Sequence, residues 1–179
     1  MKTILLSLFS VVALVASAFA DEKSLEDFYR LPQDAVDALN TGTKFELYSI
    51  EPGPLSLKPK HLKPEEDFYG FKMLGHVALT DPKKRSIAVG VVMDAIHHSD
   101  FHRMAMCFFP RHALQVTANG RIFDFVICYQ CGQIKLYEKG AVVAAIGIPE
   151  SPQGSAALNK LLSDAGIPLA EWPMKEDNK

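Results

Sequence analysis

The chain has 179 residues, 48% of them hydrophobic, with 19 basic and 21 acidic side chains and a net charge of −2. A near-neutral chain without a basic stripe is not built for nucleic acid, and three cysteines are too few for a disulfide-built scaffold. Being odd in number, they leave at least one thiol unpaired or they serve a metal.

Lys2 gives the chain a positive start, Ile4 to Ala16 carry no charge, and Ala18-Phe19-Ala20 places small residues where a signal peptidase reads. Those parts predict a secretory signal over residues 1–20, and hence a secreted or periplasmic protein. A membrane span needs about 20 apolar residues, more than this stretch supplies, so no membrane anchor is expected after cleavage. Cleavage leaves 159 residues, enough for one domain over 21–179, and removes only Lys2 among the charged residues, moving the net charge to −3.

Behind Leu31-Pro32, Gln33 to Leu39 reads as a short helix, with Pro32 in its first turn and Asn40-Thr41-Gly42 at its end. Lys44 to Glu51 (KFELYSIE) is aromatic and β-branched, a strand pattern. Residues 52–67 form a Pro-rich loop whose Pro, Lys and Glu content points to a mobile segment. Tyr69 to Thr80 reads as a second strand. Asp81-Pro82 then starts a helix, with a capping carboxylate followed by a proline whose missing N–H does no harm. This helix is expected to reach about His98 and to bury Ile87, Val91, Val92, Ala95 and Ile96. Gly90 costs it about 1 kcal/mol relative to alanine, so tertiary packing must hold it.

From Arg103 the pattern turns to short strands: Met104 to Phe109, His112 to Ala118, Arg121 to Tyr129, Gln133 to Tyr137 and Ala141 to Gly147. Asn119-Gly120 is a strong hairpin signal. Ser151-Pro152 opens a last helix with Leu158, Leu161, Leu162 and Ala165 on one face and Gly166 closing it. Strands joined by tight turns pair antiparallel. The expected fold is α+β: an antiparallel β-sheet meander with two main helices packed on one face, plus a short N-terminal helix.

The candidate site lies in Cys107-Phe108-Phe109-Pro110-Arg111-His112 and Cys128-Tyr129-Gln130-Cys131-Gly132. Cys-x-x-Cys-Gly between two strands has the shape of a zinc knuckle, two thiolates meeting one ion across a tight turn. Cys107 and His112 would complete a Cys3His zinc set with Cys128 and Cys131, spaced C-x4-H-x15-C-x2-C. Register decides whether it forms. A two-residue turn at Asn119-Gly120 pairs His112 with Ile127 and turns Cys128 to the opposite face. A three-residue loop puts His112 on the face of Cys128. Both remain open from sequence.

Three other readings compete. In an exported protein Cys128 and Cys131 oxidise to a disulfide or cycle as a redox pair. A cysteine activated by His112 and oriented by Asp124 would be a nucleophile, although no family-specific nucleophile signature surrounds it. The third has the cysteines as small buried hydrophobes and the histidine hydrogen-bonded in the core. His97, His98 and His102 form a second cluster at the end of the long helix, where a histidine also suits the helix dipole. Tyr48, Tyr69, Tyr129 and Tyr137 read as sheet residues, and Trp172 as a tail residue packing back. No acid–base pair stands out, and no catalytic residue is assigned.

The segments FELYSIEP (45–52), FYGFKMLGHVALTD (68–81), CFFPRHALQVTANGRIFDFVICYQCGQIKLY (107–137) and SPQGSAALNKLLSDAGIPL (151–169) resemble a widespread group of exported bacterial proteins of unknown function. That group carries a Cys-Phe-x-Pro-Arg-His segment followed by Ile-Cys-Phe-x-Cys; Tyr129 stands here where relatives often have Phe. The resemblance implies that Cys107, His112, Cys128 and Cys131 belong together without assigning them an activity. The functions to weigh are a metal-binding protein with a structural or sensing role, a thiol/disulfide protein, and an interaction module using the Pro-rich loop.

Overall fold

The computed structural model describes residues 25–52 and 63–171. The expected signal peptide, most of the Pro-rich loop and Trp172 lie outside them. The elements are α1 (Leu25–Phe28), α2 (Gln33–Thr41), β1 (Lys44–Glu51), β2 (Asp67–Phe68), β3 (Phe71–Ala78), α3 (Pro82–His97), β4 (His112–Ala118), β5 (Arg121–Cys128), β6 (Gln133–Glu138), β7 (Ala141–Gly147) and α4 (Pro152–Ser163).

Local chemistry explains the starts of the two long helices. The Asp81 carboxylate accepts the backbone N–H groups of Lys83 and Lys84 at 2.7 and 3.4 Å, and Pro82 follows it. At α4 the Ser151 hydroxyl accepts from Gly154 N–H at 3.0 Å, again ahead of a proline. Such caps contribute about 1 kcal/mol each. Pro32 stands just ahead of α2, one place before the position expected.

Seven strands form one antiparallel sheet in the order β2-β3-β1-β4-β5-β6-β7. The α+β class holds, but the meander covers only β4 to β7. β1 sits between β3 and β4 and runs antiparallel to both, so β3 and β4 point the same way. Strands pointing the same way need a long crossover, and α3 lies in that connection. The expected strand over Met104 to Phe109 is absent; these residues run as irregular chain after a short 3-10 turn. Their backbone finds a side chain instead of a ladder: Gln133 Nε2 donates to the carbonyls of Ala105 and Cys107, the latter at 3.0 Å.

Alternation along the strands separates two faces. Leu47, Leu114, Val116, Phe125, Ile127, Ile134 and Leu136 pack with Ala35, Ala38 and Leu39 of α2, Ala88, Val92 and Ala95 of α3, and Leu158, Leu161 and Leu162 of α4. Each fully buried leucine there is worth roughly 2 kcal/mol of transfer free energy. The expectation for α3 is corrected in part. Val92 and Ala95 are buried and Val91 and Ile96 half-buried, but Ile87 is 48% exposed. Ala88, Val92 and Ala95 make a stripe of small residues at spacings of four and three, which turns Ile87 outward. In α4, Ala165 is likewise exposed, beyond the last helical turn.

The other face carries Tyr48, Ile50, Phe68, Ala113 and Val126, with Tyr69, Phe71, Met73, Phe108 and Tyr137 packed against them. Tyr69, in the turn between β2 and β3, stacks on Tyr137 of β6 with ring centroids 4.1 Å apart. In a flat sheet β3 and β6 would lie about 19 Å apart, four strand spacings. The sheet therefore curls over this second, aromatic core. Bulges in the β1–β3 and β6–β7 pairs add to its bending.

Candidate functional site

Asn119 and Gly120 both adopt left-handed conformations, φ 50° and 74°, the two-residue hairpin turn that favours this dipeptide. Ala118 therefore faces Arg121, and the register runs to His112 opposite Ile127. His112 shares the helix-side face with Ile127. Its Nε2 lies 2.7 Å from Asn159 Oδ1 of α4, and the residue is 2% exposed. Burial, with the Arg111 charge assisting and the Asn159 hydrogen bond opposing, holds its pKa down at about 4. The ring is neutral at pH 7.

Cys128, one residue beyond Ile127, points to the opposite face across from Gln133. The chain then turns back, Cys131 N–H donating to Cys128 Sγ at 3.0 Å and Phe109 N–H donating to Cys131 Sγ at 3.2 Å. Gly132 follows with φ 59°; a Cβ there would come within 2.8 Å of the Ile148 carbonyl oxygen, so the tight return requires glycine. The two sulfurs are at bonding distance and the Cα atoms 5.3 Å apart, inside the disulfide range. Both cysteines are buried, while Cys107 is a half-buried free thiol.

The expected Cys3His zinc set is thus not brought together. Cys107, Cys128 and Cys131 belong to neighbouring segments, but His112 is on the other side of the sheet and tied to α4. Among the described residues no three His, Cys, Asp or Glu side chains gather so as to hold a metal ion. The nucleophile reading fails on the same register, because Asp124 also faces away from His112.

Asp124 instead organises a network that sequence reasoning missed. It is 2% exposed, accepts the Tyr69 hydroxyl at 2.5 Å, and accepts Gln115 Nε2 at 2.7 Å. Gln115 Oε1 in turn accepts the Tyr48 hydroxyl at 3.4 Å, which also reaches Glu46. Burial raises the Asp124 pKa, against the lowering effect of the Tyr69 and Gln115 hydrogen bonds. Burial likewise pushes the Tyr48 and Tyr69 phenols well above their usual range. Tyr69 holds a φ of 57°, uncommon for an aromatic residue, and its hydroxyl bond and ring stack offset that cost. One signal was available in the sequence: Asp124 interrupts the apolar run Ile122-Phe123 and Phe125-Val126-Ile127, as a buried polar residue does. No local rule connects it to Tyr69, 55 residues earlier.

In the expected cluster of His97, His98 and His102, the first two end the long helix. α3 stops at His97, and His98 Nδ1 lies 2.9 Å from the Asp94 carbonyl oxygen. Arg111 donates to Gln130 Oε1 at 3.4 Å. Comparisons of the chain with protein-family models, curated proteins and solved structures give no match.

Proposed function

We propose that the chain is an exported thiol/disulfide protein in which Cys128 and Cys131 form an oxidised pair. The pair closes the turn from β5 to β6, and Cys107 stays a free thiol. The observation that carries this reading is the approach of the two sulfurs across a turn that only a glycine completes. Forming the bond removes two electrons and two protons from the thiols, which a thiol oxidant of an oxidising compartment accepts.

The role that fits is a staple rather than an exchange catalyst. Attack on a disulfide requires an incoming thiolate to reach a sulfur, and Cys128 and Cys131 are only 1% and 3% exposed. A redox-active pair of this spacing usually sits at a helix N-terminus, which lowers the thiol pKa; here Cys128 ends a strand. The test is free-thiol counting under denaturing conditions, with metal analysis, on protein prepared from an oxidising compartment. One thiol per chain and no zinc is the expected result. Three thiols and about one zinc per chain would overturn the reading in favour of a metal site.

A further inference from the structure

A cleft of about 350 Å³ opens on the aromatic face of the sheet, with Asp124, Tyr69 and Gln115 lining it beside Arg121, Glu138 and Lys139. Its size suits a small molecule. Every charged group of this lining except Asp124 is either exposed or paired. Arg121 grips both oxygens of Glu138 at 2.8 and 2.9 Å and also pairs with Asp34. Lys139 stands in the exposed turn after β6. Glu46, at the other end of the tyrosine network, has Lys44 at 3.1 Å.

Asp124 differs from all of these. Both of its hydrogen-bond partners, a phenol and a carboxamide, are neutral, and no Lys, Arg or His pairs with it among the described residues. An ionised carboxylate accepts about four hydrogen bonds, and these two leave capacity for more. Taking a carboxylate out of water without a cation is costly, and its raised pKa reflects that cost.

We infer that this cleft is a binding site for a small organic ammonium ion, with Asp124 as counter-ion and the Tyr69 ring and Ile122 side chain as the apolar wall. The ammonium supplies the cation that the buried carboxylate lacks. A tyrosine face attracts positive charge, and the ring of Tyr69 is held in place by its stack on Tyr137. Ile122, 48% exposed and also lining the cleft, gives an alkyl or aryl group something to cover. An anion is disfavoured because Arg121, the obvious receptor, is already neutralised by two carboxylates. A metal ion is disfavoured because, among the described residues, no three His, Cys, Asp or Glu side chains gather to hold one, and Glu138, the other carboxylate of the lining, is taken by Arg121.

The test is a calorimetric titration of the full exported chain with benzylammonium, using benzyl alcohol and benzoate as neutral and anionic counterparts. Saturable binding of benzylammonium in the millimolar range or tighter is expected, at least tenfold stronger than either counterpart and weakened by salt. Asp124→Asn should lose at least tenfold. Lys139→Glu, an exposed turn substitution that removes a repelling charge, should bind several-fold more tightly. Equal binding of benzyl alcohol, no saturable binding, or an unchanged affinity in a folded Asp124→Asn would overturn the inference. Should Asp124→Asn not fold, Lys139→Glu decides: an unchanged or weaker affinity overturns it too.

Discussion

The two faces of the sheet are built from alternate residues of the same strands, yet they solve different problems. The helix side is apolar, filled by leucine, isoleucine, valine and phenylalanine, and its one buried histidine is neutral with an amide for a partner. The other side has no comparable aliphatic mass. It is held by stacked tyrosines, a buried carboxylate and a disulfide-spaced cysteine pair. One face supplies most of the burial. The other keeps a buried carboxylate that a hairpin neighbour, Gln115, and a distant residue, Tyr69, satisfy together. A single-residue offset in β4 or β5 would exchange these roles.

Substitutions that act on one face at a time would break or sharpen that contrast. The largest loss is expected for Phe125→Ala on the helix side, where the ring is fully buried: about 4 kcal/mol in urea unfolding. If it cost less than deleting the Tyr69 hydroxyl, the division of labour between the faces would be wrong.

The next effect is a response to acid. The folded pKa of His112 is depressed to about 4, so the unfolded chain takes up a proton first as the pH falls. Stability should therefore decline from about pH 6.5 to about pH 4, by about 3 kcal/mol from this group, and level off below. Asp124, raised by burial, acts in the opposite sense, because its protonation at low pH relieves a cost of the folded state. His112→Gln should flatten the acid limb of the unfolding midpoint against pH, and Asp124→Asn should steepen it. Parallel curves for all three proteins would contradict the assignment.

Reducing the Cys128–Cys131 pair opens only a small loop, as three positions separate the two residues. The chain-entropy loss is about 2 kcal/mol, and the Cys128→Ser, Cys131→Ser double variant should match the reduced protein. A smaller effect, about 1.5 kcal/mol, is expected for Tyr69→Phe, which removes one of the two donors to Asp124. Its sign is informative. A neutral result would mean that the strained turn at Tyr69 gains nothing from the bond.

Much of the secondary structure was readable in advance because its signals are local. β1, β4 and β7 begin and end where their β-branched and aromatic runs do, and α3 and α4 start at the capping residue and proline that announce them. The cysteine pair was visible for the same reason: its two members are three residues apart with a glycine behind them. The candidate ammonium site was not visible, since Asp124 offered only a polar residue in an apolar run.

Residue order by itself thus determined where the chain extends, coils and reverses, since these depend on φ/ψ preferences and contacts within a few positions. Tertiary structure alone decided the side of the sheet on which His112 lies, the insertion of β1 between β3 and β4, and the meeting of Tyr69 with Asp124. The last two depend on pairing between segments far apart in the chain, and the first on which of two turn geometries the β4–β5 hairpin takes within the assembled sheet. There the favourable terms are burial and hydrogen bonding in the assembled sheet, and no short stretch of sequence contains both partners.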